Sequence, residues 1–260
     1  MQNIIFNQIK DDSLRIRVAQ LLDIPAPQKN IEVVQLPARD GELTIDSGCY
    51  KSIEISAEFN YVGNNDTWWS TWQQAKRWLS AKDTTLILSD NPYYFYKVYY
   101  VTIDTNTRES LRIGKFKATF ICNPYMYRTD GVVPADVTSE EILFIDTDHA
   151  LIVDTDGSAI ATTDKVILID NHYAKSNPIY TVEGDGECYL QTINGYMRIN
   201  LMQGSVTLDT DKEVAYLSNG DSANRLVTGD FSVLRLSEGA NYITLESLAN
   251  LSIIPNWREL

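Results

Sequence analysis

Residues 66–79 read Asp66-Thr-Trp-Trp-Ser-Thr-Trp-Gln-Gln-Ala-Lys-Arg-Trp-Leu79, and three apolar runs follow at Thr85–Leu88, Tyr93–Val101 and Lys115–Ile121. Trp68, Trp72, Ala75 and Leu79 recur at steps of four, three and four, which sets them on one face of a helix. Trp69 and Trp78 fall on either edge of that stripe, while Gln73, Gln74, Lys76 and Arg77 take the other side. Asp66 is placed to cap the helix. A helix of this kind needs a sheet to cover, and the three runs after it, with one strand before it, supply one. So many Trp residues together would also suit a platform for stacking sugars or bases. The helical spacing favours packing on a sheet instead.

Working outward, Ile53, Ile55, Ala57, Phe59 and Tyr61 alternate without error with polar residues, the pattern of a strand with one wet face. Phe116, Ala118 and Phe120 alternate in the same way. Tyr93-Tyr-Phe-Tyr-Lys-Val-Tyr-Tyr-Val101 spreads aromatics over both faces of a strand, so both faces are expected to be covered by sheet packing or subunit contact. Nearer the N-terminus, Ile31–Leu36 reads as a compact apolar strand ending at Pro37. Arg39-Asp40-Gly41 then reads as a turn, because Gly accepts positive φ.

The segment from Pro124 to Pro134 marks a change of texture. Beyond it short strands come about every ten residues, near 142–145, 151–153, 166–169, 179–182, 188–193, 197–201, 205–208, 215–217, 231–236 and 242–245. Asp156-Gly157, Asp185-Gly186, Asn194-Gly195 and Asn219-Gly220 separate some of them, and Asn194-Gly195 carries the signature of a type I′ hairpin. This spacing predicts a β-sandwich over the second half. The expected division is 1–128, a linker at 129–140, and 141–260, in a mainly β chain with one or two helices.

Length, composition and charge narrow the function. The 260 residues are enough for one large or two modest domains, with 44% hydrophobic and 22% charged residues. No apolar run approaches the ~20 residues of a membrane helix. The N-terminus lacks the basic start and apolar core of a signal peptide, so synthesis in a cytoplasm is expected, with any later export by lysis or a carrier. Cys49, Cys122 and Cys188 are odd in number and widely spaced, which speaks against a disulfide framework or a structural zinc site. Residues 1–128 hold 15 Lys and Arg against 14 Asp and Glu, whereas the remainder holds 7 against 21. So acidic a second half repels a phosphate backbone, and sequence-specific nucleic-acid binding is not expected.

Motifs that carry catalysis are absent. There is no Gly-x-Ser-x-Gly, His-Glu-x-x-His or phosphate loop, and His149 and His172 have no nucleophile motif beside them. Asp146-Thr-Asp148, Asp154-Thr-Asp156 and Asp209-Thr-Asp211 invite a calcium reading, but none has the Gly and Glu positions of an EF-hand loop. Asp and Thr also stabilise turns by bonding their own backbone. No metal or cofactor is implied, and among many acids some pair falls at a glycosidase distance by chance.

The order of features is more specific than any one of them. Pro37-Ala-Arg-Asp-Gly-Glu-Leu43 is followed by the alternating strand, the Trp-bearing helix, the aromatic strands and Phe116-Lys-Ala-Thr-Phe-Ile-Cys-Asn-Pro-Tyr-Met-Tyr127. Val206–Tyr216, Thr228–Thr244 and Pro255-Asn-Trp-Arg-Glu-Leu260 come late in the chain. This series resembles, over nearly the whole chain, the distal tail protein (Dit) family of long, non-contractile-tailed phages, mostly those infecting Gram-positive bacteria. Two turns depart from it: Ala38 stands where the family often has Gly, and Glu238 where it often has Pro.

The resemblance implies a tail-tube-like, ring-forming N-terminal β-sandwich with a helix and a C-terminal galectin-like β-sandwich of jelly-roll kind. It implies a non-enzymatic virion component at the distal end of the tail, made in the host bacterium. Six copies would form a hub joining the tail-tube protein to the tail-tip protein and, in some phages, to receptor-binding proteins. A six-fold ring excludes isologous contacts, so each copy must offer two complementary surfaces. Arg39, Asp40 and Gly41 in the early turn and Tyr96 in the aromatic strand are the candidate ring contacts. A second reading is a saccharide-binding adhesin, for which Trp257, the one Trp of the second half, is the candidate contact. A cell-wall hydrolase is the third.

Overall fold

The structure, a computed structural model, describes the chain except for residues 1–2, 38–39, 63–67, 109–112, 133–141, 147–151, 154–158, 161–164 and 247–248. It divides into two compact units, Met1–Thr129 and Asp130–Glu259. The fold is mainly β, with a single α-helix among the described residues.

The first unit contains β1 (Ile4–Phe6), β2 (Ile9–Lys10), β3 (Ile16–Val18), β4 (Lys29–Gln35), β5 (Glu42–Tyr50), β6 (Ile53–Val62), α1 (Trp68–Leu79), β7 (Thr84–Leu88), β8 (Asn91–Ile103), β9 (Thr107–Arg108) and β10 (Ile113–Arg128). Its main sheet runs β2-β1-β7-β8-β10-β6-β3, with antiparallel neighbours throughout. The alternation read in the sequence sets the register, since Phe59 lies opposite Phe116, Ala57 opposite Ala118 and Ile55 opposite Phe120. These six side chains form one buried face.

Helix α1 covers that face. Trp68, Ala75, Trp78 and Leu79 are buried and Trp72 packs beside them, whereas Trp69 is 62% exposed. Trp78 goes deeper than its place at the edge of the stripe suggests. Its ring meets Phe6 at 5.7 Å and Phe59 at 6.0 Å, both edge-on, and its Nε1–H donates to the Phe6 carbonyl at 2.8 Å. Trp68 lies 4.9 Å from Tyr61 and Trp72 lies 5.0 Å from Phe116. Each such aromatic pair adds about 1 kcal/mol to the area it buries.

The sheet curls as its strand twist accumulates. The buried Asp11 carboxylate accepts from the backbone N–H of Ile4 at 3.3 Å and of Val18 at 3.4 Å, so one side chain ties β1 to β3, which lie toward opposite ends of the strand order. Burial holds this carboxyl above its ordinary 3.8 even though backbone N–H groups pull it down. Tyr93, Tyr99 and Tyr100 of β8 are exposed, so sheet packing within the chain does not cover both faces, and of the two expected covers only subunit contact is left for these rings. The β8–β10 register shifts between Ile121–Tyr100 and Cys122–Val98, and this irregularity turns both Tyr99 and Tyr100 outward.

The second unit contains β11 (Ile142–Asp146), β12 (Ile152–Val153), β13 (Ala159–Ile160), β14 (Lys165–Asn171), β15 (Ile179–Thr192), β16 (Gly195–Asp209), β17 (Val214–Leu217), β18 (Val227–Gly229), β19 (Gly239–Glu246) and β20 (Asn250–Ile254). The sequence reads 179–208 as four short strands, but they form two long ones, β15 and β16, joined antiparallel. The register breaks between Gly184 and Gly186, where Gly186 takes φ +88. Before that point β15 pairs with β20, and after it with β19. Each long strand therefore serves both layers of a sandwich, turning the corner at the bulge. Tyr180, Val182, Val206 and Leu208 from one side and Leu190, Met197, Ile199 and Ile243 from the other share one core.

Two local readings are corrected. Phe231–Leu234 is a 3-10 turn rather than a strand, because the Asp230 carboxylate accepts from the Ser232 N–H at 2.8 Å and starts a turn instead. The hairpin at Asn194-Gly195 forms, but Thr192 pairs with Gly195, so Ile193 and Asn194 are the loop residues. Neither has positive φ, so the turn is not type I′.

Gly114 faces the Trp68 ring so closely that an added Cβ would stand 2.4 Å from it. Gly114→Ala is expected to displace Trp68 and cost about 1–3 kcal/mol in urea unfolding. An unchanged midpoint would show that the indole is not seated against β10.

Candidate functional site

Within the first unit, β4 and β5 stand apart: they pair with each other and, among the described residues, with no other strand. Gln35 lies opposite Glu42, Val34 opposite Leu43, Val33 opposite Thr44, Glu32 opposite Ile45 and Ile31 opposite Asp46. Side chains directly opposite share a face, so Val34, Leu43 and Ile45 lie on one side and Ile31 and Val33 on the other. Ile31, Val33, Leu43 and Ile45 are 40–51% exposed. Ile31–Leu36, read from sequence as a compact apolar strand, therefore has no core beneath it in this chain.

The hairpin is ordered by its own polar groups. Lys29 Nζ meets Asp46 Oδ2 at 2.8 Å, Gln35 Nε2 donates to Glu42 Oε1 at 3.3 Å, and Ser47 Oγ donates to the Asn30 carbonyl at 2.7 Å. At its base the Tyr50 ring meets Tyr125 of β10 edge-on at 6.0 Å, and the Lys51 N–H donates to the Gln28 carbonyl. An isolated two-stranded hairpin is marginal in water, and this one also exposes branched aliphatic side chains.

Beside the hairpin's base is a cavity of about 630 Å³, lined by Ile24, Pro25, Ala26 and Pro27 from the segment before β4 and by Ile53, Leu88, Tyr96 and Met126 from the sheet. Apolar side chains dominate it, with Asp90 and Asn91 at its margin.

The residues singled out in sequence fall as follows. Asp40 is exposed and Gly41 takes φ +82 at the tip of the hairpin, next to Arg39, which lies outside the described residues with Ala38. Tyr96 is only 5% exposed and burial pushes its hydroxyl up to about 12, so it lines the cavity and offers no surface contact. Trp257 is 2% exposed, packed against Tyr173 at 6.1 Å and over Gly131, and has no open face on which a sugar could stack.

Asp209 Oδ1 accepts from the N–H of Asp211 and Lys212, and Thr210 Oγ1 donates to the Pro178 carbonyl, so this Asp-Thr-Asp forms a bonded turn. Asp148, Asp154 and Asp156 lie outside the described residues, as does His149, while His172 is exposed beside Asp170. Among the described residues no three His, Cys, Asp or Glu side chains gather as a metal site. All three cysteines are free. Burial pushes the Cys122 thiol up to about 12 and the Cys188 thiol up to about 11. Neither is poised as a nucleophile.

No protein-family model matches the sequence, and no curated protein matches it. The fold is similar to the crystal structure of SPP1 Dit (gp 19.1), described as a paradigm of the hub adsorption apparatus in phages that infect Gram-positive bacteria. The TM-score is 0.60 over 100% of this chain and 98% of that one, at 13% sequence identity. At that identity the likeness is one of backbone architecture.

The Lys29–Asp46 pair gives the hairpin a pH dependence. A hydrogen bond to Lys29 holds the Asp46 carboxyl below its ordinary 3.8, and the same bond holds Lys29 above 10.5. Asp46 then contributes stability above pH 3.8 that is lost as pH falls through its depressed value, and Lys29 contributes stability below pH 10.5 that is lost as pH rises through its elevated one. Carbon-detected NMR titration is expected to place the Asp46 midpoint below 3.8 and to raise it in Lys29→Ala, where the Gly48 N–H still bonds the carboxylate. An equal midpoint in the two proteins would show that the pair does not form in solution.

Proposed function

We propose that the protein is a structural hub at the distal end of a phage tail, and that copies of its first unit close into a six-fold ring through the β4–β5 hairpin. The hairpin carries the reading: it is a two-stranded sheet with exposed aliphatic side chains on both faces and no core of its own chain to cover them. A second copy is the partner best suited to cover it. Hairpin on one copy and acceptor surface on the next make a head-to-tail contact, and such a contact generates a ring when its rotation closes.

Charge supports the same division of labour. Residues 1–128 are balanced at 15 basic against 14 acidic, so six copies can crowd together without net repulsion. The rest of the chain, with 7 against 21, is the poorer choice for contact between copies. The fold likeness to SPP1 Dit adds a hub protein as the architectural precedent. In this reading the ring joins the tail tube to the tail-tip protein and, where the tail carries them, to receptor-binding proteins. Asp40 and Gly41 at the hairpin tip, with Arg39 before them in the sequence, are its contacts with the next copy, and Tyr96 acts by shaping the cavity.

Val34→Asp combined with Ile45→Asp places two carboxylates on one face of the hairpin and leaves the first unit's core untouched. Each buried aliphatic side chain contributes about 1.5–3 kcal/mol, so the pair is expected to weaken association by more than tenfold. Sedimentation velocity should show a shift toward the monomer with an unchanged thermal midpoint. Variant and wild type with the same sedimentation profile would overturn the hairpin as the ring contact.

A further inference from the structure

The first unit leaves two apolar features open, the β4–β5 hairpin and the cavity of about 630 Å³. The hairpin springs from the cavity's own wall. Ile24, Pro25, Ala26 and Pro27 line the cavity just before β4, and Ile53 lines it just after β5. From Lys29 to Leu36 the chain then runs about 24 Å at about 3.4 Å per residue, away from the cavity where it starts. Inside the cavity one polar group is left over. Tyr96 is only 5% exposed, and its hydroxyl has no hydrogen-bond partner among the described residues. A buried hydroxyl in this state gains from any acceptor that reaches it. The occupant that fits brings an aliphatic side chain and a spare carbonyl. The hairpin tip has both: Leu36 is 40% exposed, and beyond the Gln35–Glu42 pair the carbonyls of Leu36 and Pro37 take no part in strand pairing.

We propose that the hairpin tip of one copy seats in this cavity on the next, with Leu36 against Ile24, Leu88 and Met126 and a tip carbonyl accepting from the Tyr96 hydroxyl. The inference rests on the ring reading and supplies the acceptor surface that reading needs. A second copy is the occupant because one unit carries both halves of the contact, and because its own tip is held a hairpin's length from its own cavity. Reach agrees with this. A compact unit the size of Met1–Thr129 has a radius of gyration of about 14 Å, so a span of about 24 Å carries the tip past its own core and into a touching neighbour. In a closed six-fold ring the spacing of equivalent points equals their distance from the axis, which sets the cavities about 24 Å from it. Polarity agrees as well. Leu36 and Pro37 bring no charge to a wall whose polar residues, Asp90 and Asn91, stand at the margin.

Thiol crosslinking of the full chain tests it in a Cys49→Ser background, since Cys49 is exposed while Cys122 and Cys188 are buried. Leu36→Cys is combined with Ala26→Cys or with Asn91→Cys, both at the cavity, and a short bismaleimide is added. Within one copy the hairpin's length separates the two thiols, so a crosslink joins two copies. Denaturing gels should show a ladder that ends at six chains. Trp69→Cys in place of the cavity thiol should give no ladder. That exposed site adjoins Trp68, which packs on Tyr61 at the end of β6 away from Ile53. Leu36→Asp should weaken association by about tenfold or more without moving the thermal midpoint. A hexamer by light scattering that yields no crosslink from Leu36→Cys to either cavity thiol would overturn the seat and leave the ring standing. A ladder of equal yield with Trp69→Cys would also overturn the seat. A monomer at every concentration would overturn the ring and the seat together.

Discussion

The Trp78 indole is the contact on which the first unit turns. It is wedged between Phe6 of β1 and Phe59 of β6 and donates to the Phe6 carbonyl. Those strands lie toward opposite ends of the sheet, so one side chain on α1 holds the curl closed over its core. Asp11 makes the complementary tie with backbone N–H groups of β1 and β3. The main sheet, covered by α1, buries its apolar face without β4 and β5. The hairpin is left to project exposed aliphatic side chains, and the proposed step from fold to assembly begins there.

The second unit solves its packing problem differently. Two long strands bend at Gly184–Gly186 and serve both layers, so a single hairpin organises the sandwich. The inner residues of β15 and β16 are committed to the core, while among the outer ones Tyr196 and Arg198 are exposed.

Local periodicity made much of this legible. The Trp stripe of α1 and the alternation of β6 and β10 point to one shared core because period alone decides which side chains point inward. The same logic could not reveal the isolation of β4–β5. Ile31 and Val33 on one face with Val34, Leu43 and Ile45 on the other read like a strand buried on both sides, and only the lack of neighbouring strands distinguishes the two. The inward position of Tyr96 is hidden for a related reason, since a register shift late in β8 exposes Tyr99 and Tyr100 and leaves Tyr96 within. The fate of Trp257 hangs on Gly131, where a Cβ would stand 2.8 Å from the Trp257 backbone nitrogen. Nothing near Trp257 in the sequence announces that fit.

The central claim, that an uncovered hairpin drives closure of a ring, is tested most directly by the mass of the intact chain in solution, measured by light scattering across a concentration series. The account predicts a species of about 176 kDa, six times the 29.4 kDa chain. A mass of 29.4 kDa at every concentration would contradict it.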